Sequence, residues 1–114
     1  MSVSNFPKIL YKGDSVNTYF YIQEGNGKYT FKVGDVVILA IKKNFEDEDY
    51  ILNKKIIINS EGTDLAIKLT SEETENIPME EHAILEIKLI CEDTKTVKTV
   101  YQDRIYLKGV VINE

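Results

Sequence analysis

The sequence predicts an all-β fold, an antiparallel sandwich of seven to nine short strands. Three observations predict it. Apolar and polar residues alternate with period two in segment after segment, as in Asp64-Leu-Ala-Ile-Lys-Leu-Thr70, and this places successive side chains on opposite faces of a sheet. Turn-forming residues interrupt these segments at roughly regular spacing, the pattern of a sandwich or barrel. Long helical periodicity is absent.

Lys8 to Tyr11 is the first strand candidate, ended by Lys12-Gly-Asp14. In Val16 to Gln23, Val16, Thr18, Phe20 and Ile22 share one face, with Tyr19 and Tyr21 on the other. Gly25, Asn26 and Gly27 tolerate positive φ and form a tight turn. A short strand, Tyr29 to Phe31, precedes a turn at Val33-Gly-Asp35. Val36 to Lys43 is a nearly continuous apolar run, expected for a central strand covered on both faces. Its β-branched residues and short length favour a strand over a buried helix.

Asn44 to Asp49 reads as an exposed loop and Tyr50 to Ile58 as the next strand. Asn59 to Gly62 turns the chain into Asp64 to Leu69. Thr70 and Glu73 form a T-x-x-E capping box, and Pro78 limits the helix to a single turn near residues 71–76. His82 to Cys91 is a long strand, turned back at Glu92-Asp-Thr-Lys95 onto Thr96 to Tyr101. Arg104 to Ile112 closes the chain as a separate strand.

With 114 residues, 43% apolar and 29% charged, the chain fits one soluble domain over residues 1–114, large enough to bury a core. Its net charge is −5, with 14 scattered Lys and Arg against 19 acids. That balance opposes binding to nucleic acid or an anionic membrane. No signal peptide or membrane-spanning run is visible. A single cysteine excludes an intrachain disulfide and a Cys-based zinc cluster.

No residues converge into a catalytic set. His82 is the only histidine and Cys91 the only cysteine, and a nucleophile–base site needs an orienting third group. His82 reads as structural. Cys91 continues the alternation of Ala83, Leu85, Ile87 and Leu89 as a small buried hydrophobe. Glu46-Asp-Glu-Asp49 lacks the spaced ligands of a calcium loop and reads as a solvated loop, its cation binding left open. No cofactor is expected. The chain has seven tyrosines and no tryptophan. Tyrosine suits both strands and interfaces, and Tyr11, Tyr19, Tyr21 and Tyr106 are the candidate interface residues.

Four segments occur in an order that resembles a known family. They are Tyr11-Lys-Gly-Asp14, Asp35-Val-Val-Ile-Leu-Ala-Ile-Lys42, Asp64-Leu-Ala-Ile-Lys-Leu-Thr-Ser-Glu-Glu-Thr74, and Leu85-Glu-Ile-Lys-Leu89 followed by Lys98-Thr-Val100. Together they resemble the small immunoglobulin-like β-sandwich domains of phage baseplates, such as the N-terminal domain of baseplate upper proteins. The likeness runs over about residues 8 to 112. Where that pattern has Gly-x-Tyr-x-Tyr-Asp, this chain has Glu81-His-Ala-Ile-Leu-Glu86.

The resemblance implies a structural protein without catalytic residues, made in the bacterial cytoplasm and built into a virion or phage-tail-like particle. Its expected partners are other tail or baseplate subunits, in a homo-oligomer or symmetric assembly. The expected contacts are the terminal strands (Lys8 to Tyr11 and Arg104 to Ile112), whose edges could pair with a neighbour, and the Tyr19/Tyr21 face. A carbohydrate- or ligand-binding module using loops at one end is the alternative.

Overall fold

The computed structural model describes residues 2–4, 6–44, 49–75 and 81–109. Among the described residues, nine strands and one helical turn follow in order: β1 (Ser2–Ser4), β2 (Ile9–Tyr11), β3 (Val16–Glu24), β4 (Gly27–Lys28), β5 (Val36–Lys42), β6 (Leu52–Ile57), β7 (Leu65–Leu69), α1 (Ser71–Thr74), β8 (Glu81–Ile90) and β9 (Val97–Lys108). They form two sheets. In the smaller, β3 is the hub, pairing with β1, β4 and β7; the larger runs β2-β9-β8-β5-β6.

The chain crosses between sheets at every step except β3 to β4, β5 to β6 and β8 to β9. This is the immunoglobulin-like sandwich plan: β1, β3 and β7 on one side, β5, β8 and β9 on the other, with β6 added beside β5. The inner faces interlock to make the core. Phe20 and Ile22 of β3 and Ile67 of β7 pack opposite Leu39 of β5 and Leu85 and Ile87 of β8, all essentially inaccessible.

One pairing departs from the expected antiparallel scheme. β2 runs parallel to β9, with Ile9, Leu10 and Tyr11 opposite Tyr106, Leu107 and Lys108. The cause lies at Phe6-Pro7. Proline has no N–H and biases its predecessor away from the helical region, so the ladder that β1 makes with β3 ends there. The chain then crosses to the other sheet, with Phe6 buried behind it.

The separate strands expected at Thr96–Tyr101 and Arg104–Ile112 are one strand, β9. A bulge hides its continuity: Ile87 pairs with Tyr101 but Lys88 pairs with Thr99, leaving Val100 as the extra residue. Val100 is buried and Tyr101 also packs on the core, so the alternation slips by one residue without breaking the strand. Residues 110–112 lie outside the described residues. Strand bounds elsewhere shift by one or two positions. The strand expected at Tyr29–Phe31 is instead β4 plus an isolated bridge from Phe31 to Gly62.

The helical turn is pinned at both ends. Glu73 N–H donates to Thr70 Oγ1 at 3.1 Å, and Thr70 N–H donates to Glu73 Oε1 at 3.0 Å, which completes the expected capping box. The buried Thr74 hydroxyl donates to the Asp14 carbonyl at 2.8 Å, tying α1 to the turn between β2 and β3.

Candidate interaction surface

The apolar run of β5 was expected to be covered on both faces. Only one is. Val37, Leu39 and Ile41 enter the core, while Val36 and Ile38, on the other face, stay half-exposed. β8 behaves alike, with Ala83, Leu85, Ile87 and Leu89 inward and Ile84 and Ile90 outward. These surplus apolar positions give the outer face of the larger sheet its character.

Cross-strand register sorts that face into rows. The first is aliphatic across four strands: Ile57, Val36, Ile90 and Val97 lie directly opposite one another. Its two ends, Ile57 and Val97, are each 58% exposed. Next comes Lys55, Ile38, Lys88 and Thr99, then Asn53, Ala40, Glu86 and Gln102. Beyond these lie Lys42, Ile84 and Arg104, then His82, Tyr106 and Ile9. Directly opposed side chains stand about 4.5–5.5 Å apart and interact, so each row is a continuous strip.

The aliphatic row is held in place by a residue that the sequence marked only as part of a turn. Asp35 is buried at 1% exposure. Its carboxylate accepts from the Tyr29 hydroxyl at 2.7 Å, Lys32 N–H at 3.0 Å and Glu92 N–H at 2.8 Å. Burial alone would raise its pKa. The hydrogen bonds from Glu92, Lys32 and Tyr29 outweigh burial and hold the carboxyl below its ordinary value. Burial, followed by the bond to Asp35, pushes the Tyr29 phenol up.

The Asp35 backbone adds a fourth bond, because its carbonyl accepts from Ile58 N–H at 2.9 Å. Asp35 therefore fastens the start of β5, the end of β6 and the turn after β8, next to Val36, Ile57 and Ile90. Gly34 makes the approach possible. Its φ of +95° and the Asp35 N–H to Lys32 carbonyl bond at 3.0 Å fit a type II turn. A Cβ there would meet Glu92 Cγ at 2.9 Å.

The face is basic although the chain is acidic. Its outward strand positions hold Lys42, Lys55, Lys88, Arg104 and Lys108 against one carboxylate, Glu86, while the whole chain carries −5. Glu86 is nearly buried, taking a bond from Gln102 Nε2 at 2.9 Å with the Lys88 amine 3.4 Å away.

The four candidate tyrosines separate into two pairs. Tyr11 and Tyr106 lie on the outer face of the larger sheet near its β2 edge, two residues apart in register. Tyr11 also lines a groove of about 460 Å³ with Phe6, Leu10 and Val16. Tyr19 and Tyr21 lie on the outer face of the smaller sheet, opposite Phe20 and Ile22 as expected. Tyr19 is 63% exposed. Tyr21 is half-buried under the Lys28 amine, which sits 4.3 Å from its ring centre. The sandwich thickness divides the pairs, so they do not make one patch.

His82 sits edge-on to Tyr106, with ring centres 4.9 Å apart. Cys91 lies just past the end of β8, half-buried, with its Sγ 3.7 Å from the Tyr29 hydroxyl. Among the described residues no cluster of three His, Cys, Asp or Glu side chains could hold a metal; Glu46, Asp47 and Glu48 lie outside them. No helix among the described residues is long and apolar enough to cross a membrane.

Of the two terminal strands expected to recruit a neighbour, β2 ends the larger sheet and β9 lies inside it. From Tyr106 to Lys108, β9 is already paired with β2. Further back, the inward-side Asp103 turns its carboxylate to Arg104 N–H at 2.8 Å, and so occupies a donor that an added strand would use. On β6, the inward-side Lys54 reaches across to β7, donating to the Lys68 carbonyl at 2.5 Å and to Glu73 Oε1 at 2.9 Å. Inward charges at edges oppose strand addition. No protein-family model matches the chain, and neither a curated protein nor a solved structure matches it.

Proposed function

We propose that this chain is a non-catalytic structural subunit that acts by protein–protein contact through the outer face of its larger sheet. The setting we propose is the baseplate or fibre-attachment region of a phage or phage-tail-like particle, with other subunits of that particle as partners. The aliphatic row Ile57, Val36, Ile90 and Val97 carries the contact reading. Four adjacent strands align these side chains at the surface, and Asp35 fixes the backbone beneath them. Orienting apolar side chains in advance lowers the entropy lost on association.

The face is of modest size: five rows on at most four strands each span roughly 27 Å by 14 Å, below the ~800 Å² per partner of a standard interface, so the partner contact is expected to extend past the rows. The particle setting rests on the sequence resemblance. The inward charges on β9 and β6 favour contact through the face over strand addition at those two strands.

The test is composition. Tail-like particles are purified by density gradient from cells that encode the chain, and their proteins are quantified by mass spectrometry. The chain is expected at a fixed ratio to the other particle proteins. A chain that stays out of the particle fraction, or a monomer that binds cell-wall glycan through its end loops, contradicts the proposal.

A further inference from the structure

We infer that the partner segment docking on this face is acidic, and that one of its carboxylate side chains seats in a depression floored by Ala40. This rests on the reading of the face as a protein contact surface and adds the chemistry of what it contacts. Ala40 lies between the larger Asn53 and Glu86 in its row, and its short side chain leaves a hollow of about 230 Å³. Tyr50, Ile38, Lys55 and Lys88 complete the walls.

The polar groups there are unequally satisfied. Glu86 already has Gln102 and Lys88. Lys55, which is exposed, has no ion-pair partner among the described residues. Lys42 adds positive charge nearby, with its amine 5.1 Å from the Tyr50 ring centre. The hollow thus offers a surplus cation, an aromatic wall and a small floor.

Charge selects among occupants. A second copy stacked face to face would set lysine rows against lysine rows, and like charges across an interface are costly. A nucleic acid would use the lysines but leave the aliphatic row idle. An acidic protein segment uses both. The aliphatic row lies about 7 Å from the lysine row, so a partner with an apolar residue close to an acidic one matches the two strips. The apolar strip supplies buried area and the lysines supply specificity and steering.

The probe is N-acetylglutamate, titrated at low ionic strength into the full ¹⁵N-labelled chain, with N-acetylglutamine as its neutral analogue. Saturating amide shifts are expected at Ala40, Asn53, Lys55 and Lys88. Affinity should be weaker for the glutamine analogue, by up to about fivefold. Lys55→Gln should remove the localised response, and Lys98→Gln should leave it. Shifts spread evenly over exposed lysines such as Lys8, Lys12 and Lys98 overturn the inference, as does equal binding of the neutral analogue. Tighter binding of inorganic phosphate, with single-stranded DNA giving the same footprint, overturns it in favour of a phosphate ligand. A localised carboxylate footprint in a chain that never enters particles leaves the site standing and removes only the particle setting.

Discussion

Replacing Asp35 tests how the candidate surface is held. In Asp35→Ala the Tyr29 hydroxyl and the N–H groups of Lys32 and Glu92 all lose their acceptor. A buried donor left unsatisfied costs about 1–3 kcal/mol. Taking the low end for each of the three, because the Lys32 and Glu92 amides lie near the surface, gives a loss of about 3 kcal/mol. That is a large part of the ~5–15 kcal/mol typical of a whole domain. Urea unfolding followed by far-UV circular dichroism should show a lower midpoint with an unchanged slope. Tyr29→Phe removes a single bond and should lose about 1 kcal/mol. Amide exchange in Asp35→Ala should also quicken at Val36, Ile58 and Glu92 before the rest of β5 and β8. A loss below about 1 kcal/mol, or exchange that rises uniformly, would show that Asp35 does not fasten these strands.

The pH dependence of stability follows from the same pair. The Asp35 carboxyl titrates lower in the folded chain than in the unfolded one. Its contribution is therefore complete above the unfolded carboxylate value and is lost as pH falls through the folded value, so Asp35→Asn should flatten the acid limb of a stability–pH curve. Tyr29 is shifted upward; its contribution is complete below the ordinary phenol value and is lost as pH rises beyond it, so Tyr29→Phe should unfold less readily in alkali. Gly34→Ala should cost about 1–2 kcal/mol in the same urea assay, since alanine resists the positive φ and its Cβ would press on Glu92. Thr70→Ala should cost about 1 kcal/mol through loss of the cap. Lys54→Ala should lose about 1 kcal/mol at most, because the group is partly exposed. It should also raise light scattering as the β6 and β7 edges open. An unchanged, monomeric Lys54→Ala would show that this lysine does not guard the edge.

Most strands were legible because their signal is local. Alternation in Val16 to Gln23 and Asp64 to Leu69 placed β3 and β7 and oriented Tyr19 and Tyr21 correctly. The capping box was legible because its partners lie three residues apart. What escaped depends on distant segments. Asp35 reaches Glu92 across 57 positions, and only the fold turns a turn residue into a clamp. The parallel docking of β2 needs β9 in place before it has meaning. The bulge at Val100 looked like a strand end, because one inserted residue inverts the alternation that follows. For the surface, the tyrosine signal pointed to four residues that the sandwich divides between two faces. The stronger signal was the over-apolar β5 run. Such a run suggests cover on both sides, whereas in the fold it leaves Val36 and Ile38 facing outward.

The most direct measurement on the central claim is particle retention of a face variant that still folds. Val36→Asp and Ile90→Asp place charges in the middle of the aliphatic row at half-exposed positions, and circular dichroism and urea titration establish that each variant is folded. Both variants should drop out of gradient-purified particles, while Tyr19→Ala, on the opposite face, should be retained at the wild-type ratio. Full retention of folded Val36→Asp and Ile90→Asp, or loss of Tyr19→Ala alone, would contradict that claim.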